Sequence, residues 1–334
     1  MEPGNILEVD DLTVEFHGDE GIAKAVNGVS FAVREGQSVG LVGESGCGKS
    51  VSAYSILRLL ADTARITSGA IRYRQRDGAV TDLTTLDPDG DHIRRLRGAD
   101  ISMIFQEPMT AFSPVHTINN QISELLMLHT GIDKDEARDR TVELLRRTGI
   151  PDPEQRVDDY TFQLSGGMRQ RAMIALGIAC GPRILIADEP TTALDVTIQA
   201  QVLKMIKEMQ RELGLSLILI THDLAVISKM VEHVYVMYLG KVVEAAPVRE
   251  LFRNPRHPYT RNLMKSVPRM SQQGERLHTI EGAVPTTYLL PTGCPFHPRC
   301  EEAIAGTCEV THPPAVKIGE GHVATCHNIT VPTP

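Results

Sequence analysis

The sequence predicts an α/β fold: a parallel sheet flanked by helices, with an antiparallel β subdomain, a helical insert and a Cys-rich C-terminal extension. Three observations predict it. Short β-branched apolar runs alternate with helical periods between residues 37 and 221, the pattern of a parallel sheet with ligands at its strand ends. A glycine-rich run, Gly43-Glu44-Ser45-Gly46-Cys47-Gly48-Lys49-Ser50, lies between one such strand and the helix that follows. Composition then shifts after about Arg256: ten of the 20 Pro and six of the 12 His fall in residues 256–334.

The elements follow in order. Leu12–Phe16 and Val29–Val33 read as antiparallel strands joined through a turn. Gln37–Val42 is a short apolar strand that runs into the glycine-rich loop, and a helix is predicted from Lys49 to about Ala61. Residues 62–100 are mixed and polar, with a strand at Ala70–Tyr73. Ile101–Phe105 is a buried strand ending at Gln106. Residues 107–163 read as helical: Ile118, Ile122, Leu125 and Leu126 share one face, and Ala137, Val142, Leu144 and Leu145 suggest a second helix. Arg183–Asp188 is an apolar strand ending in two acids, Asp188-Glu189. Ile198, Val202, Ile206, Met209 and Leu213 recur at helical spacing, and Leu215–Thr221 is a further buried strand, ending at His222. Beyond Arg256 regular structure is expected to be sparse, so that segment needs another constraint to be ordered.

Charge and hydropathy exclude some functions. The 334 residues carry a net charge of −8, which argues against a nucleic-acid surface. No apolar run approaches the roughly 20 residues of a membrane-spanning helix. Met1-Glu2-Pro3-Gly4 has no basic-then-apolar signal pattern. The expectation is a cytosolic chain that meets a membrane through partners.

The run Gly43–Ser50 fits G-x-x-x-x-G-K-[ST] in the strand-to-helix setting that the motif requires. Its glycines let backbone N–H groups turn inward around phosphates, so Gly43, Ser45, Gly46, Cys47 and Gly48, with Val51 in the first helical turn, are candidate nucleotide-binding residues. Lys49 would reach the β- and γ-phosphates, Ser50 would hold Mg²⁺, and the helix N-terminus adds a favourable field. At the end of the Ile184–Asp188 strand, Asp188 would bind Mg²⁺ and Glu189 would orient and deprotonate the attacking water.

Taken with Leu164-Ser165-Gly166-Gly167-Met168-Arg169-Gln170, these motifs resemble those of the ATP-binding cassette (ABC) transporter ATPases. The resemblance implies a RecA-like P-loop NTPase core and a head-to-tail dimer with ATP sandwiched between subunits. In such a dimer Ser165, Gly166 and Gly167 would cap the γ-phosphate of ATP held by the opposite subunit. Gln106 would touch Mg²⁺ and the water, His222 would contact the γ-phosphate and steady Glu189, and Ala193-Leu194-Asp195 would cross the dimer interface. Phe16 would stack on adenine. The run Asp188–Gln201, and His257-Pro258-Tyr259-Thr260-Arg261, resemble the oligopeptide/dipeptide importer branch in particular, and Met168-Arg169-Gln170-Arg171 its D-type ATPase. Phe112-Ser113 departs from the Leu-Asn pair common in that branch, near the expected membrane-facing insert.

Cys294, Cys300, Cys308 and Cys326 are spaced C-x₅-C-x₇-C-x₁₇-C, wider than the short pairs of zinc ribbons. Four thiolates suit an iron–sulfur cluster or Zn²⁺, for which His297 and His327 are rival ligands; unligated thiols are the third reading. Some members of the resembled branch carry a [4Fe-4S] cluster at matching cysteines, and the role would be structural.

The expected domains are a nucleotide-binding domain at 1–255, with its helical insert at about 107–165, and an oligopeptide-transporter-type extension at 256–334. The expected function is ATP hydrolysis that energises import of di- or oligopeptides at the cytoplasmic face of the membrane. The resemblance implies a second ATPase subunit, two permeases and a solute-binding protein as partners, and no nucleic acid. The alternatives are a soluble cassette ATPase of repair or translation, an importer of nickel or another cargo, and a redox sensor built on the cysteines.

Overall fold

The computed structural model describes residues 1–192, 194–266 and 280–329, with side chains for all of these except Met109 and Thr110. The chain forms two compact units: residues 1–34, 38–85 and 220–334 make the first, and residues 35–37 and 86–219 the second.

The first unit opens with the antiparallel subdomain. Strand β1 (Asn5–Gly18) and strand β2 (Gly21–Arg34) form a long hairpin closed by a two-residue turn, Gly18 pairing with Gly21. These strands run well past the five-residue pieces that the β-branched runs suggest. The apolar alternation explains the pairing: Leu12 and Val14 on β1 and Val26, Val29, Phe31 and Val33 on β2 are all buried. Strand β3 (Ser38–Val42), buried throughout, leads into the glycine-rich loop and then helix α1 (Lys49–Ile56). That helix ends five residues before the expected Ala61, and Arg58 just beyond it takes a left-handed φ of 53°. Strands β4 (Ala64–Arg74) and β5 (Val80–Asp82) complete a sheet of order β2-β1-β4-β5.

The second unit holds helix α2 (Asp91–Leu96), strand β6 (Ile101–Ile104) and the helical insert: α3 (Pro108–Ala111), α4 (Ile118–Thr130), α5 (Lys134–Arg147) and α6 (Pro153–Arg156). Thr117 and Asp133 cap α4 and α5 by accepting from backbone N–H groups, and Gly131 ends α4 at φ 71°. Ile122 and Leu126 are buried on α4, as are Ala137, Leu144 and Leu145 on α5, and the Ser123 and Thr141 hydroxyls meet between the helices at 3.1 Å. Helix α7 (Gly166–Ile178), strand β7 (Ile184–Asp188), helix α8 (Val196–Leu213) and strand β8 (Ser216–Thr221) follow. The strand order here is β8-β7-β6, with β6 and β7 parallel.

Past β8 the chain rejoins the first unit with helix α9 (Leu224–Met230), strands β9 (His233–Tyr238) and β10 (Lys241–Pro247), and helices α10 (Val248–Arg253) and α11 (Pro258–Lys265). The tail is less bare of regular structure than expected. Strands β11 (Ala315–Gly319) and β12 (His322–Thr325) form a hairpin, and β12 pairs with β10. The order is β11-β12-β10-β9-β3, with β3 parallel to β9. Glu244 on β10, 1% exposed, anchors this tail. Its carboxylate accepts from the Arg256 and His257 N–H groups at 2.8 and 2.9 Å and lies 2.8 Å from His322 Nε2. Among the described residues no helix is long and apolar enough to cross a membrane.

Candidate functional site

The glycine-rich loop owes its path to close backbone approaches. A Cβ on Gly43 would lie 2.2 Å from the Met237 carbonyl oxygen, and one on Gly48, at φ 97°, would lie 2.3 Å from the Ala25 carbonyl oxygen. Both positions therefore need glycine. Gly46, at φ 77°, faces open space, so its glycine serves the turn alone. Lys49 is 5% exposed, and its ammonium donates to the Gly43 and Glu44 carbonyls at 2.9 and 3.0 Å and lies 3.7 Å from Cys47 Sγ. Burial pushes the Cys47 thiol pKa up, with the Lys49 charge pulling the other way. Ser50 and Val51 are half-buried in the first turn of α1, and Ser45 and Gly46 are exposed. The result is a loop with a cation at its root and exposed backbone at its crown, the arrangement that receives phosphates. Phe16, also in this unit, sits half-buried on β1 between Ala23 of β2 and Ala64 of β4.

In the second unit Asp188 ends β7, fully buried. Glu189 follows at φ 43°, a left-handed conformation rare for a residue with a side chain. Its carboxylate accepts from the Thr192 hydroxyl at 2.9 Å and from Gln106 Nε2 at 3.5 Å. Gln106, two residues past β6, and Glu189, just past β7, are thus brought together. Thr192 is a partner that motif reading did not single out, although it stands in the quoted run. Ser165 caps α7, its hydroxyl accepting from the Met168 N–H at 3.3 Å. Ser165 and Gly166 are exposed, so the positive end of a 13-residue helix opens outward. Arg171 fixes this helix, donating to the Thr148 carbonyl at 2.9 Å and to Gln201 on α8 at 2.8 Å. Asp195 caps α8 by accepting from the Thr197 and Ile198 N–H groups, both at 3.0 Å. Ala193, grouped with it in the sequence, lies outside the described residues. His222 is exposed after β8 and belongs to the first unit, whereas Glu189 belongs to the second.

The four tail cysteines converge: Cys294, Cys300, Cys308 and Cys326 line one small cavity, and none is in a disulfide. Burial raises the Cys294 and Cys326 thiols and pushes Cys300 up to about 11. Among the described residues, however, no group of three or more His, Cys, Asp or Glu is arranged to hold a metal ion. The donor set suits a soft metal centre in composition but not in arrangement, so the expected cluster is not shown. Sequence reasoning also missed Arg299. Its guanidinium pairs with Glu44 of the glycine-rich loop, 255 positions away, and no local pattern could have signalled that.

Residues 26–192 match the family model described as ABC transporter, and residues 243–308 match the one described as the C-terminal region of oligopeptide/dipeptide transporters. The chain belongs to the ABC transporter family. It is similar to a putative peptide import ATP-binding protein of Brucella abortus, 48% identical over 328 residues that span 96% of each chain. It is also similar to the dipeptide transport ATP-binding protein of Escherichia coli K12, 43% identical over 323 residues, again 96% of each. Among solved structures, a dimeric ATP-binding cassette in a post-hydrolysis state bound to ADP and Pi aligns with a TM-score of 0.64 at 26% identity. That match covers 73% of this chain and 99% of the other. CbiO1 of Clostridium perfringens, described as part of an ABC transporter complex, aligns with a TM-score of 0.61 at 28% identity over 75% of this chain and 92% of the other. The fold is therefore that of a P-loop ABC ATPase with mixed α/β sheets, and its reaction is ATP hydrolysis.

Proposed function

We propose that this ATPase energises the import of di- or oligopeptides through a membrane ABC transporter. The observation that carries the reading is the pair of family matches on one chain, a cassette followed by the oligopeptide/dipeptide transporter C-terminal region. Relatives that match over 96% of this chain are named for peptide or dipeptide transport. The working assembly is a closed pair of ATPase subunits, this chain with a related one, on two permeases at the cytoplasmic face, supplied by an extracytoplasmic solute-binding protein. Residues 1–255 form the nucleotide-binding domain, with the insert at about 107–165 facing the permeases, and residues 256–334 form the extension.

The chemistry divides among the chain's own residues. The loop N–H groups of Gly43, Ser45, Gly46, Cys47 and Gly48, with that of Val51, cradle the phosphates, and Lys49 neutralises the β- and γ-phosphates. Phe16 stacks on adenine. Glu189, steered by Thr192 and Gln106, takes the proton of the attacking water, while His222 steadies the γ-phosphate. Ser165, Gly166 and Gly167 cap the ATP of the partner subunit, and Asp195 stands at that interface. Ser50, Gln106 and buried Asp188 are the oxygen donors for Mg²⁺, which supplies charge neutralisation on the phosphates.

The soft donor set of four thiols lining one cavity, rather than any arranged metal group, is what supports a structural [4Fe-4S] cluster at Cys294, Cys300, Cys308 and Cys326, with Zn²⁺ the alternative. Iron and sulfide near four each per anaerobically purified chain would bear this out; neither element, or zinc in their place, would reject it. The transport reading is tested by ATP-dependent uptake of labelled dipeptides into vesicles carrying the reconstituted complex. Uptake that Lys49→Ala abolishes is expected. Robust ATPase with no uptake of any peptide in a mixed library would overturn the cargo assignment.

A further inference from the structure

The phosphate loop is gripped from the tail. Glu44, its second residue, is held on three sides. Its N–H donates to the Tyr259 hydroxyl oxygen at 2.9 Å. Its carbonyl accepts from Lys49 at 3.0 Å. Its carboxylate receives both ends of the Arg299 guanidinium, at 2.7 and 3.1 Å. This fork is the strong, directional form of the carboxylate pair, and a lysine cannot reproduce it. The Arg299 side chain is 3% exposed, against 26% for Glu44.

Arg299 is itself fixed. It donates to the Ile280 and Glu281 carbonyls at 3.2 and 3.1 Å and to the Tyr238 hydroxyl at 3.4 Å, and it lies 5.8 Å from the Tyr238 ring centre. Tyr238, Tyr259 and Phe296 pack as one aromatic cluster, with ring centres 4.7 to 5.4 Å apart. The Glu44 pair holds the guanidinium pKa above its ordinary value. The cation is therefore permanent, and besides Glu44 it is held by the Ile280 and Glu281 carbonyls and by Tyr238.

We propose that Arg299 is a positioning residue of the ATP site, neutralising and orienting Glu44, and that Tyr259 assists it by fixing the Glu44 N–H. The proposal rests on the reading that Gly43–Ser50 binds the phosphates of ATP. Two effects point the same way. Without the fork, Glu44 is free to turn, and the carbonyl that Lys49 uses turns with it, so binding must restore an order that the wild type already has. Without the cation, an uncompensated carboxylate stands in a loop that must accept a polyanion. The C-terminal extension thereby sets nucleotide affinity without supplying a catalytic residue.

The test is titration of the full-length chain with MgATP by calorimetry. Arg299→Ala is expected to weaken binding about tenfold, about 1.4 kcal/mol, and Arg299→Lys and Tyr259→Phe about threefold each. Adding Glu44→Gln to Arg299→Ala should recover most of the loss, because the uncompensated charge is gone. An arginine that served only to fold the tail would not be rescued by a change in the loop. The proposal falls if Arg299→Ala, with native circular dichroism, binds within twofold of wild type, or if Glu44→Gln fails to restore affinity. Where Arg299→Ala does not fold, wild-type affinity in Arg299→Lys overturns it. Wild-type chain that binds no MgATP, or Lys49→Ala that binds it equally well, would instead remove the phosphate-loop reading beneath it.

Discussion

The phosphate loop and the cysteine-bearing tail are both irregular chain beside strand β9, but they are held in opposite ways. The loop takes its path from its own glycines and lysine, and Arg299 and Tyr259 hold only Glu44 from outside. Gly43 and Gly48 pass close to foreign carbonyls, and Lys49 ties back to Gly43 and Glu44 within six residues. The tail is shaped by partners remote in sequence: Glu244 collects the N–H groups of Arg256 and His257 and faces the His322 ring, and Arg299 reaches Glu44. A locally encoded site shows itself in residue spacing. A remotely encoded one shows only in the fold.

That contrast can be broken at the loop first. Gly48→Ala places a Cβ 2.3 Å from the Ala25 carbonyl oxygen at φ 97°, and is expected to cost about 2–4 kcal/mol and to abolish ATP binding. Gly46→Ala meets only open space at φ 77° and should cost about 1 kcal/mol, with binding retained. Urea unfolding and MgATP titration of both variants check this. Equal penalties would mean that turn conformation, not close approach, shapes the loop.

Acid should strain the remote side. Burial, with Arg34 and His322 adding to it, lowers the His233 pKa to about 4. The folded chain keeps this imidazole neutral while the unfolded chain protonates it near pH 6.5. Its contribution is therefore complete above about pH 6.5 and is lost as pH falls towards 4, up to about 3 kcal/mol in all and about 2 kcal/mol at pH 5. Comparing urea midpoints at pH 7.5 and 5.0 tests the effect, and His233→Phe should shrink the difference. The smallest expected change is local again. Asp195→Ala removes two cap hydrogen bonds from α8 and should cost about 1 kcal/mol in the same assay.

What the sequence reveals follows the same division. The strand–loop–helix at Gly43–Ser50, the strand ends at Gln106 and Asp188, and the periodic face of α8 are contiguous patterns, and the structure has strands and helices at those places. The premature end of α1 escapes notice because Arg58 carries no mark of its left-handed backbone. The β11–β12 hairpin escapes because its strands are only five and four residues long and depend on β10 for an edge. The left-handed Glu189 is likewise invisible to motif reading, although its side chain is what Gln106 and Thr192 meet. Four cysteines at wide spacing do converge, but spacing alone does not fix the angles that a metal demands.

The claim at the centre is that Glu189, held by Thr192 and Gln106, is the base of ATP hydrolysis. It is tested most directly by measuring MgATP affinity and steady-state phosphate release on the same preparation of Glu189→Gln in the assembled transporter. Affinity within about twofold of wild type with turnover lowered at least about 100-fold is the predicted result. Phosphate release at the wild-type rate would contradict it.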